Sequence, residues 1–461
     1  MLRLSPDHPI ETLWDGLLPP EVRTLPQDLE RIDELLADSE LLVAFRDPWD
    51  AQARERGRPS VPMAVYLRLM VVKQRTGWGY ETLMREVSDS LHLRRFCWIA
   101  LHDRVPHEST VRKLTRRLGS AVVDELIRHL IDKARRERRF RPRAMRCDST
   151  VVEADVRYPT DAGLAGDAVR ILARVARQVR QAIPSIETRV RDRSRAVGRR
   201  LRALSRTIRR RSGEAKAAVR RLTEETGEKV RSSVREAKRL LAEAKLRRAR
   251  GPRLTPHGRR KVIERLEETI AQAERIVEQI RQRFAGEKIS DRLISLADAD
   301  ARPVRRGKRA KPTEFGYVVQ FTEVTSRTGR GARGVILPPK LRAGSAPENS
   351  LLPDTVAELV DLDLKLREAA FDAGFHPPTT LETLAPTGAE PFIVGSHHPG
   401  GRATRRRLAR YRVGCEGRIA HLKREYHAGR SRLRGTDGAR IWESWGVLAY
   451  DLDTIAAMPT A

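Results

Sequence analysis

Hydrophobic residues recur at helical spacing through the first 140 residues of the chain. Apolar side chains lie three and four positions apart, and the turn sequences FRDPWD, RGRPS and RVPHES interrupt them. This pattern predicts helices near 28–45, 60–76, 79–90, 109–119 and 120–138. We therefore expect an all-helical N-terminal domain over residues 1–140.

Part of this domain has the spacing of a helix-turn-helix pair, in which the second helix enters a DNA groove. That second helix, in the stretch HESTVRKLTRRLG, carries four basic residues, Arg112, Lys113, Arg116 and Arg117. We expect them to contact DNA. A helical domain whose basic residues are only solvated is the alternative that the pattern leaves open.

Residues 164–288 differ in character from the rest of the chain. Apolar positions step by four and three, as in Val197, Leu201 and Leu204, which is nearly the spacing of a coiled coil. Pro184 ends a first helix, and the sequence RGPRLTPHG breaks a long second one. The segment therefore predicts a coiled-coil-like helical insertion in which the third helix returns antiparallel to the second.

Strand patterns occur on both sides of the insertion. After residue 289 the stretches LISLADAD, EFGYVVQFTEVT, RGVILPP, LREAAFDAGF and EPFIVGS alternate with helical patterns near 350–362, 377–385, 403–427 and 437–457. The strand over 145–156 has no other sheet to join. The fold class predicted is mixed α/β, with one α/β domain formed by residues 141–163 and 289–461 and interrupted by the insertion.

The chain is strongly basic, and the excess charge is concentrated in the insertion. Lys and Arg number 91 against 61 Asp and Glu, a formal charge of +30. Residues 168–250 contain 27 Lys and Arg against 8 Asp and Glu, which is +19 of that total. Such an excess repels itself unless a polyanion neutralises it. We expect the insertion to bind DNA phosphates, with Arg199, Arg200, Arg209 and Arg210 as candidates, although a solvated charged face is the simpler reading.

Three carboxylates stand at unusual places in the α/β segments. Asp148 lies in the centre of the strand over 145–156, where aspartate is a poor strand former. Asp372 ends an apolar strand, and Glu416 lies on a helix with Arg412 and Lys423 within about 40° of it around the axis. Taken singly, each has an ordinary explanation: an edge-strand charge, a turn aspartate and a salt-bridged helix surface.

Taken together, the three acids match the active site of a ribonuclease-H-like fold. Converging carboxylates repel one another unless cations neutralise them. Two Mg²⁺ ions, about 3.5–4 Å apart in such sites, would supply that charge and serve phosphodiester chemistry. We expect two Mg²⁺ ions, with Mn²⁺ able to substitute.

The motifs CDSTVVEADVRYPTD, KPTEFGYVVQFTEV, FDAGF and CEGRIAHLKREYHAGRSRLRG resemble those of the DDE transposases of bacterial insertion sequences. The resemblance implies that Asp148, Asp372 and Glu416 are the catalytic triad and the metal ligands. It also implies that Arg412 and Lys423 lie where the glutamate helix of related families carries Arg and Lys, although the Tyr position of that pattern is Ala409 here. We expect both cations to bind DNA phosphate beside the metals, and a salt bridge with Glu416 is the alternative. The implied activity is cleavage of DNA at the element ends followed by strand transfer.

The implied partners are double-stranded DNA at the terminal inverted repeats and in the target, and a second copy of the chain on that DNA. No segment approaches the roughly 20 apolar residues of a membrane span, and the N-terminus lacks the apolar core of a signal peptide. We therefore expect no membrane partner and a cytoplasmic protein, associated with the nucleoid through DNA. A metal-dependent nuclease of the same fold and a non-catalytic DNA-binding protein remain the alternatives.

Overall fold

The computed structural model describes residues 2–4, 16–50, 59–207, 212–246, 256–305, 312–345 and 347–459. The chain divides into two compact units. Unit 1 contains residues 1–155 and 316–461, and unit 2 contains residues 156–315. The bounds of unit 2 lie outside the bounds expected for the insertion, 164 and 288.

Seven helices are described in the N-terminal part of unit 1, within residues 16–50 and 59–155. They are α1 (Pro20–Arg23), α2 (Gln27–Leu36), α3 (Arg46–Asp50), α4 (Met63–Thr76), α5 (Tyr80–Asp89), α6 (Leu91–Phe96) and α7 (Glu108–Arg136). The two helices expected over 109–119 and 120–138 are the two halves of α7. They are separated at Gly119, whose φ of 73° and ψ of −169° are not helical and favour glycine.

The other helices of unit 1 follow in the C-terminal part of the chain. They are α12 (Leu352–Asp361), α13 (Pro377–Leu384), α14 (Arg402–Glu425) and α15 (Gly435–Ala456). Helix α15 is the centre of the core, because it packs against α2, α4 and α7 on the N-terminal side and against β4 (Val335–Ile336) and β5 (Lys340–Ala343) of the sheet. The N-terminal helices and the sheet therefore share one core.

The sheet of unit 1 is built around β1 (Ala144–Ala154). On one side β1 pairs antiparallel with β3 (Thr313–Thr325), and on the other it pairs parallel with β6 (Glu368–Phe371). Strand β6 continues parallel to β7 (Glu390–Ile393), so the order is β3-β1-β6-β7.

Short strands extend this sheet: β4 and β5 pair antiparallel with β3, and β8 (Arg430–Ser431) pairs parallel with the end of β1.

Unit 2 is mainly a bundle of four helices. They are α8 (Asp161–Ala182), α9 (Ser194–Thr207), α10 (Gly213–Leu246) and α11 (Pro256–Ala285). Leu172, Val230 and Leu266 are among the buried residues that form their common core. Ion pairs join Lys238 to Glu274 and Lys245 to Glu267. The later residue of α10 therefore pairs with the earlier residue of α11. The helical hairpin expected from the sequence is therefore present, and it is antiparallel.

The mixed α/β class predicted from the sequence is confirmed, and the strand over 145–156 joins the later strands as expected. One predicted strand is wrong: residues 293–295 have no regular secondary structure, residues 296–300 form bends, and the next strand is β2 (Arg302–Arg305). The alternating pattern of that stretch instead serves packing, because Leu293 belongs to the buried core of the bundle. No helix in the described part of the chain is long and apolar enough to cross a membrane.

Candidate active site

The strand β1 directs Asp148 toward helix α14. Side chains two positions apart lie on the same face of a strand, so Arg146, Asp148 and Thr150 share one face of β1. Arg146 donates to the carbonyl oxygen of Tyr411 at 2.8 Å, and Lys423 donates to Thr150 Oγ1 at 2.7 Å. Both partners belong to α14, so Asp148 faces the same helix.

Asp372 comes directly after β6, at the end that lies beside Asp148. The register of the parallel pair joins Ala144 to Glu368 and Arg146 to Ala370. Continuing it by two residues puts Asp372 opposite Asp148. The Asp372 side chain accepts a hydrogen bond from the backbone N–H of Ala373 at 2.7 Å, which fixes its orientation at the strand end.

A single guanidinium joins Asp372 to Glu416. Arg412 Nη2 lies 2.9 Å from Asp372 Oδ1, and Arg412 Nη1 lies 2.5 Å from Glu416 Oε1, one helical turn away on α14. Arg412 is buried, whereas the side chains of Asp372 and Glu416 are 42% and 59% exposed. Burial lowers the pKa of Arg412, but the neighbouring carboxylates, with Asp372 first, outweigh it and raise that pKa overall. The structure therefore brings Asp372 and Glu416 together around one cation.

The carboxyl group of Asp148 has a strongly shifted pKa. Burial raises its pKa to about 6. The hydrogen bond from the N–H of Ser149 and the charge of Arg412 oppose this shift, while the carboxylates of Glu348 and Asp372 add to it. The site thus contains more negative charge than its single buried cation balances, which favours binding of a further cation.

Glu348 is a site residue that the sequence reasoning missed. It begins the 3-10 turn Glu348–Leu351 before α12, and its carbonyl oxygen accepts a hydrogen bond from Gln320 Nε2 at 3.1 Å. A Cβ atom added to Gly374, in the turn after Asp372, would lie 3.1 Å from Glu348 Cγ. The same turn is joined to Asn349, which accepts from the N–H of His376 at 2.7 Å.

These contacts hold Glu348 beside the Asp372 turn and near Asp148. No spacing marks it in the sequence, since a glutamate at the start of a helix is common. The only feature of the sequence that could have pointed to Glu348 is its position just before α12, the helix that precedes β6 and Asp372.

The donor set suits Mg²⁺, because carboxylate oxygens are the ligands that this ion prefers. Among the described residues, however, no group of three or more acidic, histidine or cysteine side chains has the geometry of a metal site. The guanidinium of Arg412 lies between two of the acids and stands in for a cation there. The chemistry of the three carboxylates therefore suits Mg²⁺, whereas in this structure Arg412 is the cation that Asp372 and Glu416 contact.

Lys423, expected beside Glu416, is anchored to β1. Its ammonium group donates to Thr150 Oγ1 at 2.7 Å and to the carbonyl oxygen of Val151 at 2.8 Å. Its positive charge also interacts with the carboxyl group of Glu443 on α15, which is fully buried. Burial raises the pKa of Glu443 well above its ordinary value, and the charge of Lys423 opposes that shift. Lys423 therefore fixes α14 against the strand of Asp148.

Two of the four basic residues expected to read DNA, Arg112 and Arg116, contact other residues of unit 1. Arg112 pairs with Glu108 one turn earlier. Arg116 Nη1 donates to the carbonyl oxygen of Arg434 at 3.0 Å. Both side chains lie on the exposed surface of the helix.

The other two, Lys113 and Arg117, line a cavity of about 730 Å³ at the side of α7. Arg117 stacks its guanidinium 3.8 Å from the ring centroid of Trp49 and donates to the carbonyl oxygen of that residue at 3.3 Å. Lys113 is exposed. The four residues thus lie on one helix, with Arg117 the most constrained.

In unit 2, the arginines expected to contact phosphate differ in their surroundings. Arg199 is exposed on α9 and makes no hydrogen bond or ion pair to another described residue. Arg200, next to it, is ion-paired with Glu225 at 3.0 Å. Arg209 and Arg210 lie outside the described residues.

Comparison with known proteins gives one match. Residues 20–117 match the family model described as "Transposase domain (DUF772)". No curated protein and no solved structure matches the chain. The matched segment covers α1–α6 and the first part of α7 and ends before Asp148. It confirms the resemblance to transposases: the chain carries a transposase domain in its N-terminal part.

Proposed function

We propose that the protein is a DDE-type transposase that cleaves DNA at the ends of an insertion sequence and joins the freed ends to target DNA. The observation that carries this proposal is the register of β1 and β6, which aligns Asp148 with Asp372 on the face that α14 covers. The transposase domain over residues 20–117 supports the substrate class.

The sheet supports a ribonuclease-H-like assignment for the catalytic part. Three antiparallel strands, β5, β3 and β1, are followed across the sheet by the parallel strands β6 and β7. This is the strand order expected of that fold. Helix α14, which carries Glu416, packs against β1 and β6, where the two aspartates lie.

In this proposal Asp148, Asp372 and Glu416 hold two Mg²⁺ ions, and Mn²⁺ substitutes for them. Bound Mg²⁺ would make the attacking oxygen a better nucleophile and stabilise the charge on the leaving oxygen. Arg412 contributes a donor between the acids, and its guanidinium is free to contact a DNA phosphate once the carboxylates are neutralised by metal. Lys423 positions α14 against β1, so that Glu416 and Asp148 stay on facing surfaces.

The other basic residues bind DNA in two ways in this proposal, one that depends on sequence and one that does not. The N-terminal helices read the terminal inverted repeats, with Arg112, Lys113, Arg116 and Arg117 on α7. The basic helices of unit 2 supply phosphate contacts that do not depend on sequence, which also raises the association rate with DNA. Because two element ends are joined, we expect at least two copies of the chain to assemble on DNA, as a homo-oligomer in the cytoplasm.

The test is a joining assay with purified full-length protein. Its substrates are a duplex carrying the repeat that flanks the gene and a supercoiled target plasmid, with Mg²⁺ or with EDTA. We expect Mg²⁺-dependent cleavage at the repeat and covalent joining of its 3′ end to the plasmid. Cleavage without joining would instead favour a nuclease, and DNA binding without any cleavage would favour a non-catalytic DNA-binding protein.

A further inference from the structure

A second strongly charged site lies on another flank of the helix that carries Glu416. A cavity of about 860 Å³ opens between α14 and the turn 328–332 that joins β3 to β4. Six arginines line it: Arg146, Arg330, Arg406, Arg407, Arg410 and Arg418. We call this cavity the arginine groove.

The arginine groove does not share the face of the three carboxylates. At 3.6 residues per turn, Arg406 and Arg410 lie about 80° and 120° around α14 from Glu416. Arg412, by contrast, lies about 40° from Glu416 on the other side and contacts it directly. A ligand in the arginine groove therefore meets a different surface of α14 from a ligand at the acids.

The charge of the arginine groove is only partly balanced. Glu323 pairs with Arg146 and with Arg418, at 2.5 and 3.1 Å. Glu368 pairs with Arg407 at 2.5 Å. Six guanidinium groups against two carboxylates leave 6 − 2 = +4, and no acidic residue lines the cavity.

One unit of this excess arises because Arg146 and Arg418 share Glu323, and the other three belong to Arg330, Arg406 and Arg410. All three side chains are exposed, and none makes a hydrogen bond or ion pair with another residue that the structure describes. Arg406 and Arg410 are one helical turn apart, about 6 Å along the axis. Three free, planar donors beside one another are suited to several phosphate oxygens on one strand, since guanidinium binds phosphate with paired hydrogen bonds.

Glycines line both sides of the arginine groove. Gly329 and Gly331 form the turn on one side, and Gly414 and Gly417 lie on α14 on the other. The position of Gly417 is open, with no atom within 4 Å of where a Cβ would be. Exposed arginines beside these glycines let a sugar-phosphate backbone approach closely and meet several guanidinium groups at once.

We propose that the arginine groove binds the phosphate backbone of a second stretch of double-stranded DNA, separate from the DNA held at the three carboxylates. That the groove binds DNA follows from its charge and shape alone. That the bound DNA is a second stretch, the target, rests on the proposed function, because strand transfer needs two DNA partners.

The binding test compares two double variants of the full chain that lose the same charge. Arg406→Gln with Arg410→Gln removes two free arginines of the groove. Arg31→Gln with Arg138→Gln removes two exposed arginines elsewhere in unit 1, neither of which pairs with a described residue. Binding of a labelled random duplex is measured by fluorescence anisotropy over a range of KCl concentrations.

Each lost phosphate contact reduces the slope of log affinity against log salt by about 0.9. We expect the groove variant to lose about 1.8 from that slope and to bind at least tenfold more weakly at moderate salt, with the control variant unchanged. Equal slopes for the groove variant and wild type would overturn the proposal.

A crosslinking test addresses which DNA is bound. A photoreactive p-benzoylphenylalanine replaces Arg410 in one variant and Arg405 in another. Position 405 lies about 20° around α14 from Glu416, so it reports on the carboxylate side. The protein is mixed with a terminal-repeat duplex and a random duplex that carry different dyes.

We expect position 410 to capture the random duplex and position 405 to capture the terminal duplex. Capture of the terminal duplex at position 410 would contradict a separate target site, and capture of neither duplex at 410 would contradict DNA binding by the groove. If wild type neither cleaves nor joins DNA, the proposed function fails. The anisotropy result then still decides whether the groove binds DNA.

Discussion

Asp372, the residue directly after β6, lies opposite Asp148 of β1 when the register of this parallel strand pair is continued by two residues. The register of β1 and β6 joins residues 224 positions apart, since 368 − 144 = 224, and the same offset separates the two aspartates, since 372 − 148 = 224. Two side chains related in this way point to the same face of the sheet. The strand register thus directs both carboxylates to the face that α14 covers, and Arg412 of α14 joins Asp372 to Glu416.

The raised pKa of Asp148 predicts how the metal-free protein responds to pH. Folding raises this pKa from 3.8 to about 6, so the folded state binds the proton more tightly than the unfolded state. The stability that this proton gives is full below about pH 4 and is lost as pH rises through about 6. Asp148→Asn avoids the loss, so in EDTA we expect the variant to melt higher than wild type above pH 6.

The comparison is made by thermal unfolding of both proteins across pH 4 to 8. The advantage of Asp148→Asn should disappear near pH 4, and added Mg²⁺ should stabilise wild type alone. Glu348→Gln, which removes a like charge near Asp148, should move the wild-type transition to lower pH. A difference between Asp148→Asn and wild type that is the same at every pH would show that Asp148 does not titrate in this range.

Lys423 should contribute to folding as well as to the site. Its ammonium group donates hydrogen bonds to β1. Its positive charge also lowers the pKa of the buried Glu443, against the effect of burial. Lys423→Met leaves Glu443 without that cation, and we expect a loss of about 1–3 kcal/mol in the free energy of unfolding. Adding Glu443→Gln should recover part of this loss, because the two groups are coupled.

Urea unfolding of the two single variants and the double variant measures the coupling. Arg424→Gln is the control, since this exposed neighbour on α14 pairs only with exposed Glu425 among the described residues, and we expect a change within about 0.5 kcal/mol. Strictly additive effects of Lys423→Met and Glu443→Gln would mean that the two side chains act independently.

Replacing two different glycines of α14 by alanine should change the free energy of unfolding in opposite directions. A Cβ at Gly414 would lie 2.0 Å from Arg146 Nη1, and that guanidinium is buried and paired with Glu323. Gly414→Ala should therefore lower the free energy of unfolding by about 1–3 kcal/mol. At Gly417 no atom lies within 4 Å of the added Cβ, so Gly417→Ala should raise it by about 0.5–1 kcal/mol. Chemical denaturation of both variants checks this, and equal effects would contradict the packing of Arg146 beneath α14.

The arginines of unit 2 differ in how readily they reach DNA. Arg199 is exposed without a described partner, while Arg200 is paired with Glu225. We expect Arg199→Gln to lower the salt slope of DNA binding by about 0.9, and Arg200→Gln to lower it by less. The losses should be similar for terminal and random duplexes. A loss confined to the terminal duplex would transfer sequence recognition to unit 2.

Secondary structure could be predicted best where apolar residues recur at one spacing over a long segment. The helices of the N-terminal part and the antiparallel hairpin of unit 2 follow from apolar spacing, and Asp148 was noticeable because an aspartate is unexpected in an apolar strand. The stretch 293–300 misled, since its alternating residues pack against a helical bundle rather than in a sheet.

The relations between distant segments were not accessible from the sequence. Arg412 and Lys423 both lie near Glu416 on a helical projection. Only the structure distinguishes them: Arg412 joins Asp372 to Glu416, and Lys423 bonds to β1. Glu348 and the arginine groove depend on turns that come together across the fold, for which no local pattern exists.

The most direct test of the proposed active site is DNA cleavage by three conservative variants, Asp148→Asn, Asp372→Asn and Glu416→Gln. Single-turnover cleavage of the terminal-repeat duplex is measured in Mg²⁺, with DNA binding and thermal unfolding as controls for folding. We expect each variant to bind DNA like wild type and to lose cleavage by at least about a thousandfold, or roughly 4 kcal/mol of transition-state stabilisation. Wild-type cleavage by any one folded variant would contradict the assignment of that residue and with it the proposed catalytic triad.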